Sequence, residues 1–180
     1  MKALFLDRDG VINEEKDGSY IFHKDEFIFY ENALKALVQL AKKFDYVFIV
    51  TNQRGVGRGF MTEAALRDIH QHLIDEVNAA GGKIDSVYFA PSIDSNHSHR
   101  KPNVGMALDA KRDFPDIDFR QSVMVGNNLS DMKFGKTMEM KTIFLHTTQA
   151  PISLPHELID EQYDSLYAWS QTVINSPSEN

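Results

Sequence analysis

The sequence predicts a three-layer α/β/α domain around a central parallel sheet. Three observations carry that prediction. Runs of apolar, largely β-branched or aromatic residues at 3–6, 46–50 and 123–125 are too short for helices and too uniformly apolar for one-sided strands, so they read as strands buried on both faces. Segments with apolar residues at helical spacing lie between them, and strands alternating with helices call for right-handed parallel crossovers. The unusual polar residues, Asp7 with Asp9, Thr51 with Asn52, Lys101, and Asn127 with Asp131, all follow strands. That is the carboxyl edge, where such sheets bind ligands.

In chain order, the first strand (3–6) ends in two aspartates separated by Arg8, and Gly10 then allows a sharp exit. A polar segment from 14 to 25, with Tyr20-Ile21-Phe22-His23 inside it, reads as a flap over that strand end. Leu34, Leu37, Val38 and Ala41 recur at helical spacing, and the second strand (46–50) runs into Thr51-Asn52-Gln53. Gly55, Gly57 and Gly59, interleaved with Arg54 and Arg58, then suggest a flexible loop; the spacing is neither G-x-G-x-x-G nor a P-loop. Thr62 suits an N-cap, and Leu66, Ile69, Leu73 and Val77 form a helical stripe ending at Gly81-Gly82. His70 and His72 on this helix are expected at the surface; His23 is the one histidine placed near a substrate, and even there a structural hydrogen bond is its expected role. A third strand (84–90), an irregular loop, Arg100-Lys101-Pro102, a helix (104–112), a fourth strand (123–125), a short helix and a fifth strand (142–145) follow. A linker with Pro151 and Pro155 leads to a terminal helix holding Leu166, Trp169 and Val173.

A chain of 180 residues suits one domain, expected over 1–175 with a flexible tail at 176–180. The net charge of −7 repels phosphate backbones and anionic membranes, which argues against both as partners. Without cysteine there is neither a disulfide nor a thiolate zinc site. Asp7 interrupts the opening apolar run before it could serve as a signal peptide. A cytoplasmic monomer is the expectation.

Two residues apart on an extended segment, Asp7 and Asp9 would share one small volume. Either one carboxyl keeps a proton or a divalent cation sits between them, and both outcomes are catalytic resources. A plain turn after an edge strand is the non-catalytic alternative.

Taken together, D-R-D-G, the strand ending in T-N-Q, R-K-P and G-N-N-L-S-D resemble the four motifs of the haloacid dehalogenase (HAD) superfamily of phosphohydrolases. D-R-D-G-V-I-N, T-N-Q-R-G-V-G-R-G-F and R-K-P-N-V-G-M resemble the branch that holds D,D-heptose bisphosphate and histidinol-phosphate phosphatases. The resemblance implies a Rossmann-like fold without a large cap domain. It implies Asp7 as nucleophile and Asp9 as general acid and base, the latter with a pKa nearer neutrality than a free aspartate. Magnesium would be held by Asp7, the Asp9 carbonyl and the fourth motif, Asn127 and Asp131. Thr51, Lys101 and neighbouring main-chain groups of Gly10, Asn52 and Gln53 would grip phosphoryl oxygens, and Arg8, Arg58 and Arg100 could hold further anionic groups. Arg54 fits that role or a solvated loop tip.

Two departures from the family pattern stand out. Asn127 occupies a position usually held by Asp, which removes a formal charge from the metal site. The loop before R-K-P, where relatives often carry a Cys and His zinc cluster, has Ala90-Pro91-Ser92 and His97-Ser98-His99 instead, so no zinc is expected. The expected activity is a magnesium-dependent phosphomonoesterase on a small phosphorylated metabolite, first a heptose 1,7-bisphosphate. The alternatives are histidinol phosphate, a polynucleotide 3′-phosphate, or a phosphate-binding regulatory protein weakened at Asn127.

Overall fold

The structure, a computed structural model, describes residues 1–176; of the tail expected at 176–180 only Ser176 lies among them. Six parallel strands form one sheet in the order β3-β2-β1-β4-β5-β6. They are β1 (Ala3–Leu6), β2 (Tyr46–Asn52), β3 (Ser86–Ala90), β4 (Val123–Gly126), β5 (Lys141–Leu145) and β6 (Glu161–Tyr163). The helices are α1 (Ala33–Leu40), α2 (Arg54–Gly57), α3 (Glu63–Ala79), α4 (Gly105–Asp113), α5 (Leu129–Thr137) and α6 (Leu166–Asn175).

All four residues of β1 are buried because both faces of the sheet are covered. Leu4 and Leu6 point into a layer with Leu37 of α1, Ile69 and Leu73 of α3, and Trp169 of α6. Ala3 and Phe5, one residue out of phase, point into a second layer with Met106 of α4 and Met132 and Phe134 of α5. This period of two on a doubly covered sheet is why β1 reads as a continuous apolar run. Chain order reverses beside β1, which pairs with β2 on one side and β4 on the other. The crevice beyond the carboxyl ends of β1 and β4 is therefore the topological switch point.

The sixth strand and α2 were not among the expected elements. Among the described residues no helix is long and apolar enough to cross a membrane.

Candidate active site

A cavity of about 630 Å³ opens at that switch point, within the size range of small-molecule sites. Asp7 and Asp9 after β1, Thr51 to Arg54 at the end of β2 and just beyond it, Arg100 and Lys101 before α4, and Asn128, Ser130 and Asp131 after β4 line it. The flap contributes Glu15, Lys16, Tyr20 and Ile21. Four turns predicted separately from sequence thus meet at one edge of the sheet.

At the floor, Lys101 Nζ lies 3.0 Å from Asp7 Oδ1, 2.7 Å from Asp131 Oδ1 and 2.7 Å from the Val50 carbonyl oxygen. Burial pushes the Asp7 carboxyl up to about 7; Lys101 opposes that rise, while Asp131 and Asp9 add to it. For Lys101 burial works downward, but Asp131 and Asp7 outweigh it and hold the ammonium above its ordinary pKa. Asp131 is fixed through its other oxygen, which accepts from the Asn127 and Asn128 amides at 3.2 and 3.0 Å. A Cβ at Gly126 would collide with Asp131, so the strand must end in glycine for this carboxylate to reach the floor.

Asp9 is held differently. Its two oxygens accept from Arg8 Nε and Nη2, Asn13 Nδ2 and Gln53 Nε2 at 2.8 to 3.3 Å. Burial pushes this carboxyl up, but the Arg8 guanidinium and the Asn13 and Gln53 side-chain amides together outweigh burial and hold it below the ordinary carboxylate value. The expectation of an Asp9 pKa nearer neutrality is corrected: it is Asp7 whose pKa lies there.

Several other expected roles change once the side chains are placed. Arg8 is among the residues lining the cavity, but its side chain is buried, with its guanidinium on Asp9 and over the Phe27 ring, so the donors expected to reach substrate are engaged by the protein itself. The Gly10 amide, expected to bind phosphate, donates to the Asn13 carbonyl. With φ at +83° and the Asn127 amide where its Cβ would lie, Gly10 serves the turn instead. Asn52 exchanges two hydrogen bonds with the Lys101 main chain and so clamps the β2 exit to the lysine's loop. Gln53 bridges Thr51 Oγ1 to Asp9, and its own amide donates to Ala90, so that amide too is taken. Arg58 and Arg100 line the cavity, and Arg54 lines it beside them.

Asn127, expected among the metal ligands, is buried behind Gly10. Its Nδ2 donates to Thr148 Oγ1 at 3.0 Å and its Oδ1 accepts from Asn128 Nδ2 at 3.2 Å, whereas Asp131 lines the cavity. The acidic end of the motif, not its amide, faces the crevice. His70 is buried rather than at the surface, and burial followed by the Arg8 charge lowers its pKa to about 3. His23 is exposed and outside the cavity lining.

Among the described residues no group of three or more His, Asp or Glu side chains converges as a metal cage. Magnesium does not need one: it is bound through one or two carboxylates with waters and substrate phosphate completing the shell. Asp7 and Asp131, two buried carboxylates sharing one ammonium group, suit that chemistry. In the loop before Lys101, His99 Nε2 meets Asp109 Oδ2 at 2.7 Å, its Nδ1 meets Ser98 Oγ at 3.0 Å, and His97 Nδ1 accepts from the His99 amide. These contacts, one of them to α4, engage both ring nitrogens of His99 and Nδ1 of His97.

Sequence reading missed Glu15 and Lys16, which no local pattern separated from a polar flap, and gave no role to Asn13, although it closes the D-R-D-G-V-I-N motif. It also missed His70, although the spacing 66, 69, 70, 73 and 77 is the usual inward stripe of a helix and could have revealed it.

The model of the family described as polynucleotide kinase 3 phosphatase matches residues 2–151. The chain is 36% identical over 144 residues to the D-glycero-alpha-D-manno-heptose-1,7-bisphosphate 7-phosphatase of Campylobacter jejuni, covering 80% of this chain and 81% of that one. It is 37% identical over 142 residues to the corresponding beta-anomer phosphatase of Rhodopseudomonas palustris, covering 74% and 77%. The D,D-heptose 1,7-bisphosphate phosphatase of B. bronchiseptica, solved with magnesium and phosphate, superposes with a TM-score of 0.83 at 27% identity over 97% of this chain and 98% of that one.

Proposed function

Because the chain belongs to the polynucleotide kinase 3 phosphatase family and is a phosphatase of the haloacid dehalogenase type, we propose that it removes one phosphate from a D-glycero-D-manno-heptose 1,7-bisphosphate through an aspartyl-phosphate. The observation that carries this reading is the Asp7–Lys101–Asp131 constellation at the β1/β4 switch point, in a cavity sized for a sugar phosphate.

In the first half-reaction an Asp7 oxygen attacks phosphorus in line. A bond to the ester oxygen breaks as the new bond forms, and Asp9 gives that oxygen a proton so that it departs as an alcohol. The incoming phosphate dianion is a like charge beside Asp9 and drives its pKa upward from the low substrate-free value. In the second half-reaction water attacks the phosphorus of the aspartyl-phosphate, Asp9 takes a water proton, and phosphate leaves with Asp7 restored. Lys101 lies against Asp7 and Thr51 lines the same cavity, so both suit the charged phosphoryl oxygens, and Arg58 and Arg100 in the lining suit the second phosphate. Asp7, Asp131 and the Asp9 carbonyl would hold magnesium, which supplies neutralisation of the nucleophile and of the phosphoryl group when bound. We assign no zinc to the loop before Lys101. A doubly phosphorylated sugar does not cross a bilayer unaided, which supports a cytoplasmic enzyme, and a monomer is the working unit we assign to it.

The test is phosphate release by purified protein with magnesium from both heptose anomers, histidinol phosphate and a 3′-phosphorylated oligonucleotide. A heptose bisphosphate is expected to be the preferred substrate, losing one phosphate, with Asp7→Asn reducing kcat by roughly three orders of magnitude or more. Turnover that survives Asp7→Asn overturns the nucleophile. Preference for the oligonucleotide overturns the substrate, and phosphate binding without turnover on any ester points to the regulatory alternative.

A further inference from the structure

Arg8 is the largest side chain shielded from solvent in the described chain, and a buried guanidinium needs partners for its donors. Its Nε and Nη2 face the Asp9 carboxylate. The remaining edge, Nη1, lies 3.1 Å from Nε2 of His70, a residue on α3 sixty-two positions further along the chain. A guanidinium has five donors and no acceptor, so this hydrogen bond runs one way: Arg8 donates and the His70 Nε2 lone pair accepts. The imidazole is then neutral with its proton on Nδ1. Besides Arg8, the charged groups facing it are Asp9 and, one helical turn back, Arg67; the Phe89 ring packs beside it at 5.8 Å.

We propose that His70 is a positioning residue for the hydrolysis: by accepting from one edge of Arg8 it sets the rotation of the guanidinium whose other edge holds Asp9. Through this two-bond chain α3 governs where the Asp9 carboxyl stands relative to the ester oxygen. The inference rests on the reading of Asp9 as the group that protonates the leaving oxygen. Neither Asn13 nor Gln53 replaces His70 in this, because each binds Asp9 directly and leaves Arg8 Nη1 untouched.

The test compares His70→Gln, whose amide oxygen can accept, with His70→Leu, which fills similar volume without an acceptor. Both are checked for folding by circular dichroism. The substrates are an alkyl phosphate and p-nitrophenyl phosphate, whose leaving group departs without protonation. His70→Leu is expected to lower kcat on the alkyl ester roughly ten- to a hundredfold with KM within about twofold, in the range seen for lost outer-shell partners. The defect is expected to shrink on p-nitrophenyl phosphate, and His70→Gln to recover most of the rate. In the wild type, nitrogen-15 NMR of the His70 ring is expected to show an unprotonated Nε2 at neutral pH.

Equal rates for the two variants, a leaving-group-independent defect, or a protonated Nε2 overturns the proposal while leaving the phosphatase reading intact. A wild type without turnover on any ester overturns that reading, and the catalytic role of His70 with it. Should His70→Leu fail to fold, His70→Met takes its place against His70→Gln.

Discussion

Asp7 is stored in the substrate-free protein at a cost that its titration makes measurable. Its carboxyl ionises near 3.8 in an ordinary setting and near 7 in the fold, so between those values the folded state holds a proton that the unfolded state has lost. Stability from this group is therefore fully present below about pH 3.8 and falls as pH rises toward 7, by on the order of 4 kcal/mol if the whole shift counts. In EDTA, Asp7→Asn should flatten that slope and exceed wild type by about 2–4 kcal/mol at pH 8, read by urea unfolding; an Asn variant less stable than wild type at pH 8 would mean that the Asp7–Lys101 attraction outweighs the burial. The pairing of Asp7 and Asp9 was legible as D-x-D because β1 extends to Leu6 and the carboxylates follow at once. What Arg8 does was not legible. The alternation that would send Arg8 away from its neighbours ends with the strand, and the turn at Gly10 brings its guanidinium round to Asp9 and to a helix that the local sequence does not mention.

Elements far from the crevice separate stability from chemistry. Helix α6 begins at Ser165, whose Oγ accepts from the Ala168 amide at 3.1 Å, and it buries Leu166 and Trp169 against the layer that holds α1. Ser165→Ala removes one helix cap and should lower unfolding free energy by about 1 kcal/mol without altering kcat, measured by urea denaturation alongside the phosphatase assay. A matching loss of kcat would reveal coupling between α6 and the crevice. Strands with continuous apolar runs and helices with one apolar stripe were readable because burial writes its period into local sequence. β6 was not, since Glu161–Tyr163 is a three-residue, half-buried edge strand with no such period. Nor was α2, because its glycines answer to distant atoms. A Cβ on Gly55 would press on the Tyr20 ring, and one on Gly57 would strike the Pro91 carbonyl, so residues that suggested flexibility instead permit close packing of the flap and the next loop.

For the whole molecule, the negative balance that argued against nucleic acid coexists with a cationic mouth. The protein carries a net charge of −7, yet Arg54, Arg58 and Arg100, with Lys16 in its ion pair to Glu26, line the cavity beside Glu15 and above a floor where the cationic partners of Asp7, Asp9 and Asp131 are Arg8 and Lys101. Among the described residues Arg54 and Arg58 form no ion pair, and both are exposed, so their field extends into solvent over about a Debye length, roughly 10 Å at 0.1 M salt. An anionic ester approaching an anionic protein is drawn at this opening, and the attraction acts on encounter, before any bond changes. Raising ionic strength from about 20 to 200 mM should therefore lower kcat/KM for a bisphosphate roughly three- to tenfold while leaving kcat nearly unchanged. Arg58→Gln should lower kcat/KM at low salt and flatten its dependence on salt, because the charge being screened has been removed. If wild type and Arg58→Gln gave parallel salt slopes, Arg58 would be a contact made after docking, and the cationic mouth would owe its attraction to Arg54, Arg100 and Lys16.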